Sequence, residues 1–419
     1  MRKSLTLFVA LLLVGAPSAA AAPRRAHATR TTLQGSLTGS LRAAGGASGA
    51  YVVDLNNGRS LYSSAPGIGR FPASVEKVFT TSVALLRFGS GGTLTTTLAG
   101  SGYFDAGRGW HGTLYLRGGG DPTFGSASYD QASLGTGATM QQLVTNLKAS
   151  TGMSSLQGSV AGDESFFDSL RGTVYSGFAA STDIEGLLSG LAYDRGCIDL
   201  ACSIFQGRPA LYAAQHLPSA LRAGGVSVPG GIGTSTATTP RSAQVLATVS
   251  SPSMATLIRL TNTPSDNYLA ESLLKDLGGR FGGSGSSAAG AAVVRAQLAR
   301  SFGIHPRVVD GSGLSRGDLA SPAQVVAVLR KLAGNSAFVR SLAVAGLTGT
   351  MRNGLQNTPA QGRCRGKTGT LSNVGNLVGY CTARNGHTLA FAFLMNAVNA
   401  NYAHALEYRM AVALATYSG

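Results

Sequence analysis

The chain has 419 residues, 44% of them hydrophobic, and its 58 glycines follow no period. It is therefore long enough for two or three packed cores and is neither collagen-like nor disordered along its length. A net charge of +16 implies attraction to anionic polymers without specificity, while the lack of a basic, aromatic-interleaved cluster argues against nucleic-acid binding.

Residues 1–28 read as a secretory signal. Arg2 and Lys3 form a positive start, residues 5–14 an apolar core, and the alanine-rich run 16–22 a cleavage zone, with Ala26-His-Ala28 as a second candidate site. The apolar run is too short for a membrane anchor, so an exported protein, periplasmic, wall-associated or secreted, is expected.

Residues 31–41 then suggest a helix, and 49–62 a hairpin turning at Asn56-Asn57-Gly58. Pro72 introduces a second, apolar helix over 75–86. Residues 93–99, 112–117 and 156–161 read as short strands, with helices at 140–148 and 209–221. Helices return at 253–262 and 266–277, followed by a glycine-rich linker over 278–290 and further helices at 291–302 and 322–332, the last capped by Ser321. Strands at 366–370, 374–382 and 388–395 and a helix over 402–417 close the chain. This order predicts an α/β (α+β) domain, a sheet flanked by helices, made of residues 29–92 and 246–419 and interrupted by a β-rich insertion over 93–245.

Three strings carry the chemistry: Ser74-Val-Glu-Lys77, Ser265-Asp-Asn267 and Lys367-Thr-Gly369. Singly each is weak. Ser272-Leu-Leu-Lys275 also fits the first pattern, Ser-Asp-Asn is a common helix cap, and Lys-Thr-Gly is a common turn. In this order they form the signature of serine acyl-transfer enzymes that use lysine as base. A serine hydroxyl must lose its proton to attack, and Lys77, one helical turn from Ser74, is within reach. Burial or a neighbouring cation lowers a lysine pKa; Lys367 is the candidate cation, and Ser265 the candidate relay from Lys77 to the leaving group. The Ser74 and Thr370 backbone N–H groups would form the oxyanion hole. Gly369 on an edge strand would let the substrate backbone lie close, with Lys367, Thr368 and Thr370 clamping a terminal carboxylate.

Four cysteines suit an oxidising compartment. Of the three connectivities they permit, Cys197 with Cys202 and Cys364 with Cys381 is favoured, the second tying the Lys367 strand to its neighbour. No CxxC or histidine cluster suggests a metal, and no cofactor is expected. The histidines at 27, 111, 216, 305, 387 and 404 show no triad spacing and read as surface or packing residues.

Longer stretches add a resemblance. Pro72-Ala-Ser-Val-Glu-Lys77, Leu114-Tyr-Leu-Arg-Gly-Gly-Gly-Asp-Pro122, Ser265-Asp-Asn-Tyr-Leu-Ala-Glu271, Asp310-Gly-Ser-Gly-Leu-Ser-Arg316 and Gly366-Lys-Thr-Gly-Thr370 resemble the class C low-molecular-mass penicillin-binding proteins. These are the D-alanyl-D-alanine carboxypeptidase/endopeptidase family S13, typified by penicillin-binding protein 4. The resemblance implies a penicillin-binding protein/β-lactamase-like transpeptidase fold. It also implies a Ser74 acyl-enzyme formed on peptidoglycan stem peptides ending in D-Ala-D-Ala and on β-lactams as covalent inhibitors, with Lys77 as base and Ser265 and Asn267 lining the cleft. The insertion is short for that family. Two rivals remain: a β-lactamase-like hydrolase, disfavoured because Glu271 is the sole glutamate between Asn267 and Lys367, and a catalytically silent wall-binding scaffold, disfavoured by the intact Ser74, Lys77 and Lys367.

Overall fold

The computed structural model describes residues 29–419; the expected signal segment 1–28 lies outside them. The helices, in chain order, are α1 (Arg30–Ala44), α2 (Glu76–Phe88), α3 (Ala127–Ser133), α4 (Met140–Thr151), α5 (Pro209–Ala223), α6 (Met254–Asn262), α7 (Asn267–Phe281), α8 (Ser287–Phe302), α9 (Pro322–Leu332), α10 (Ser336–Ser341) and α11 (Ala400–Thr416). The strands are β1 (Ser48–Asp54), β2 (Ser60–Ser64), β3 (Thr95–Phe104), β4 (Gly109–Arg117), β5 (Ser155–Asp163), β6 (Gly233–Thr236), β7 (Gln244–Ser250), β8 (Ala343–Val344), β9 (Cys364–Leu371), β10 (Val374–Thr382) and β11 (Thr388–Asn396).

A six-stranded antiparallel sheet in the order β2-β1-β11-β10-β9-β8 lies between two helical layers. The period of two in β11 explains this. Leu389, Phe391, Phe393 and Met395 join Leu33, Leu37, Leu406 and Met410 of α1 and α11 in one core. Ala390, Ala392 and Leu394 join Val78, Phe79, Leu273, Leu274 and Leu329 of α2, α7 and α9 in the other. A strand covered on both faces reads as a continuous apolar run, as residues 388–395 do. The hairpin β1–β2 turns at the expected place, with Gly58 in the left-handed region (φ 73°).

Residues between α2 and α6 build a second sheet, ordered β6-β5-β4-β3-β7, with β4–β5 and β5–β6 parallel. Trp110, Leu114, Leu156 and Val160 pack there against Leu143 and Leu147 of α4 and Leu217 and Leu221 of α5. β7 carries this sheet to Ser250, beyond the boundary read at residue 245. A smaller seam of Ile184, Leu188 and Ala192 against Leu260, Tyr268 and Leu269 docks the insertion on α6 and α7.

The expected linker over 278–290 does not exist as such. α7 runs on to Phe281 and α8 begins at Ser287. Its glycines serve close packing: a Cβ on Gly290 would lie 1.9 Å from the Leu274 carbonyl oxygen, so the two helices cross where only glycine fits. Both disulfides have the favoured pairing, Cys197–Cys202 and Cys364–Cys381. The second joins directly opposed residues of β9 and β10.

Candidate active site

Ser74 lies in a 3₁₀ turn, Ala73–Val75, immediately ahead of α2 rather than within it. Ala73 adopts φ 47°, a strained conformation for a non-glycine residue. The backbone is held there from several sides. Buried Asn376 on β10 donates to the carbonyls of Phe71 (2.9 Å) and Pro72 (2.8 Å), and Asn396 accepts from Phe71 N at 2.8 Å. Gly313 abuts the Ala73 carbonyl, where a Cβ would come within 1.9 Å.

One turn on, the fully buried Lys77 donates to Ser74 Oγ (2.9 Å), Asn267 Oδ1 (2.6 Å) and the Ser312 carbonyl (2.9 Å). These three acceptors fill the valence of an ammonium. Burial lowers the Lys77 pKa to about 8, opposed chiefly by the charges of Glu271 and Asp310. The expected assistance from Lys367 is not the cause. The influence runs the other way: burial, then the charge of Lys77, holds Lys367 well below the ordinary lysine range.

Ser265, between α6 and α7 at φ 74°, accepts from Lys367 Nζ at 2.7 Å. Its hydroxyl thus pairs with Lys367, where a relay from Lys77 was expected. Asp266 caps α7 through Leu269 N and pairs with Arg195 of the insertion. Asn267 uses both ends of its amide: Oδ1 accepts from Lys77, and Nδ2 donates to the Asp183 carbonyl at 2.7 Å. Its backbone N–H donates to Glu185 at 3.2 Å, so the insertion helps to hold the second string in place. Through Lys77–Asn267 and Ser265–Lys367, residues distant in sequence form one site.

Lys367, Thr368, Gly369 and Thr370 lie on β9. This is not the outermost strand, but β8 pairs only with Arg365 and Gly366, so that side of β9 is free of β8 from Lys367 onward. Gly369 has a different reason than expected. Its Cβ would meet the Pro72 carbonyl oxygen at 2.6 Å and Val75 Cγ2 at 3.2 Å, so the glycine lets β9 approach the Ser74 turn rather than the substrate. Thr368 donates to Thr350 Oγ1 at 2.7 Å, and Thr370 Oγ1 lies 2.8 Å from His404 Nε2. His404 was read as a surface or packing residue; it adjoins the site instead.

Behind Lys77 lies a group of buried acids whose convergence the quoted strings did not reveal. Glu271 Oε1 accepts from Gly311 N (3.0 Å) and Ser312 N (2.8 Å), Asp310 from Gly313 N (2.7 Å) and Ser315 N (2.8 Å), and Asp318 from Val309 N (2.6 Å). They shape the loop that presents the Ser312 carbonyl to Lys77. Burial, reinforced by the charges of Asp318, Asp310 and Glu271, raises Glu76 well above the usual carboxyl range. Among the described residues no group of three or more His, Cys, Asp or Glu side chains is placed to hold a metal ion, and no helix is long and apolar enough to cross a membrane.

The architecture is that of the penicillin-binding protein/β-lactamase-like fold. Over 89% of this chain and 97% of the other, it superposes on penicillin binding protein 4 from Haemophilus influenzae with a TM-score of 0.73 at 20% identity. Residues 33–176 and 190–417 match the D-Ala-D-Ala carboxypeptidase 3 (S13) family, and the chain belongs to that family. It is 28% identical to a D-alanyl-D-alanine carboxypeptidase of Actinomadura sp. (strain R39), across 90% of this chain and 82% of the relative. It is 29% identical to carboxypeptidase DacB of Mycolicibacterium smegmatis, across 82% and 75%.

Proposed function

We propose that this protein is a serine-type D-Ala-D-Ala carboxypeptidase acting on peptidoglycan stem peptides through a Ser74 acyl-enzyme, with cross-link hydrolysis as a second use of the same site. The observation that carries this is Lys77 Nζ held between Ser74 Oγ and Asn267 Oδ1 with its pKa lowered to about 8. A base poised near the working pH is what proton abstraction from serine needs.

Lys77 in its neutral form takes the Ser74 proton as Oγ attacks the carbonyl between the two D-alanines. The Ser74 and Thr370 N–H groups receive the oxyanion. Lys77 then gives the proton to the departing D-alanine amine, with Ser265, held by Lys367, lining the cleft beside it, and water releases the acyl group. An arriving carboxylate favours the charged form of Lys367, whose pKa burial has lowered, so ion pairing at Lys367, beside the hydroxyls of Thr368 and Thr370, accompanies substrate binding. A β-lactam presents a carboxylate and an acylating carbonyl to the same groups.

Glu271 is buried and bonded to Gly311 N and Ser312 N, which disfavours a β-lactamase reading. We place residues 29–92 and 251–419 in the acyl-transfer domain and residues 93–250 in an insertion whose residues 183–195 brace the cleft. We also read the chain as exported, with its positive surface attracted to anionic envelope polymers. Incubation with a D-Ala-D-Ala pentapeptide and with a cross-linked dimer tests the activity. Release of D-alanine by the wild type and none by Ser74→Ala is expected; release by both refutes the assignment.

A further inference from the structure

His404, in the first turns of α11, lies in line with two other side chains. Its Nε2 is 2.8 Å from Thr370 Oγ1, and its Nδ1 is 2.8 Å from Glu407 Oε2. Glu407 is wholly buried and its second oxygen has no partner, so its one hydrogen bond goes to the imidazole. Thr370, at the other end, is exposed.

We propose that His404 and Glu407 act as a positioning pair whose proton count decides whether the Thr370 hydroxyl donates to the terminal carboxylate of the substrate or withholds its proton. The inference rests on the reading of Thr370 as a carboxylate contact.

Hydrogen-bond bookkeeping supplies the argument. A carboxylate accepts only, so Glu407 takes a proton from Nδ1–H. When His404 is also protonated at Nε2, that N–H donates to Thr370 Oγ1, and the threonine O–H is free to point at a substrate oxygen. When Nε2 is bare, it can only accept, and Thr370 spends its single proton on the imidazole. The hydroxyl then offers lone pairs to an anionic ligand. The proton lost belongs to the pair, because a proton lodged on Glu407 would leave Nε2–H in place just the same.

Glu407, by hydrogen bond and charge, raises the His404 pKa above the ordinary imidazole value against the opposing effect of burial, which extends the donating state to higher pH than a free imidazole allows. The other titratable groups on elements packed against α11 are turned elsewhere. Arg30 of α1 bonds the Ser60 carbonyl, and Tyr380 of β10 the Leu329 carbonyl. Lys367 bonds Ser265, and Arg365 alternates to the same face as Lys367, away from Thr370. Arg42 of α1 lines a separate cavity beside Thr38 and Tyr62. Tyr408 stacks on His404 with ring centroids 6.4 Å apart, and Arg352 lies in the loop whose Gly354 abuts Tyr408.

The test is the pH dependence of KM and kcat for an N-acylated peptide ending in D-Ala-D-Ala, in the wild type, His404→Ala and Glu407→Gln. In the wild type KM rises roughly tenfold as the pair loses its proton, the worth of one hydrogen bond to a charged group. The step is carried by KM, as expected for a contact made equally in ground and transition states. It vanishes in His404→Ala and moves to lower pH in Glu407→Gln, and in the wild type it coincides with loss of the His404 Nε2 proton by NMR, a readout that does not depend on either variant folding. Identical KM profiles in all three proteins, each still acylated by penicillin, overturn the pair's role alone. A folded wild type that neither cleaves the peptide nor binds penicillin overturns the functional reading and this inference with it.

Discussion

The fully buried Lys77 Nζ lies 2.9 Å from Oγ of Ser74, which is itself partly exposed. The two residues belong to different local structures, a 3₁₀ turn and the α-helix that follows it. The junction between them is set by contacts from β9, β10 and the loop at residue 313. The amine is therefore presented to the hydroxyl by tertiary packing as much as by helical spacing.

The Lys77 pKa of about 8 fixes the sign of the pH response. Below it the amine is charged and cannot accept a proton, so the acylation rate should fall about tenfold per pH unit on the acid side and level off above about 8. Lys77→Met should lower acylation by about 10²–10⁴-fold and cost about 1–3 kcal/mol of stability, since it leaves Asn267 Oδ1 and the Ser312 carbonyl without their donor. A stopped-flow pH profile with benzylpenicillin and a melting curve check both.

Because Glu271 holds two backbone N–H groups behind the site, it is not free to activate water. Penicillin label should therefore persist on the enzyme, and Glu271→Gln should leave the deacylation rate unchanged while costing about 1–3 kcal/mol of stability. Chase of a fluorescent penicillin label, with denaturant unfolding of both proteins, measures the two effects.

Gly369→Ala should act on geometry. A methyl 2.6 Å from the Pro72 carbonyl oxygen must push β9 away from the Ser74 turn and widen the gap between the Ser74 and Thr370 N–H groups. Loss of one oxyanion donor costs about 10²–10³ in rate. The acylation rate should fall by about that factor, while overpacking costs about 1–3 kcal/mol. A normal rate would mean that the strand does not fix the oxyanion site.

Replacing Cys364 and Cys381 by serine removes a tie between opposed residues of β9 and β10. A loss of about 2–4 kcal/mol is expected from the loop it closes, read as a lower melting temperature with the acylation rate at permissive temperature little changed.

How far the sequence foretold this site depends on whether a residue acts through its own side chain within a short string. Ser74, Lys77, Ser265, Asn267 and Lys367 fall in such strings, and the structure brings them together. The Ser312 carbonyl and the backbone it belongs to have no side-chain signature, although Asp310-Gly-Ser-Gly was visible as a motif. Asn376 works by reaching two carbonyls some 300 positions away, and His404 meets Thr370 because α11 packs on the sheet. Neither contact has a local pattern. The same limit explains the fold: β11 and α9 were legible from apolar pattern and caps, whereas the glycines between α7 and α8 looked like a linker until the partner at Leu274 was in view.

The central claim is tested most directly by intact-protein mass spectrometry after incubation with benzylpenicillin, followed by peptide mapping. The account predicts that the wild type gains the mass of one whole antibiotic molecule, located at Ser74, and that Ser74→Ala gains none. A wild type that stays unmodified while folded, or label on Ser74→Ala at another residue, would contradict it.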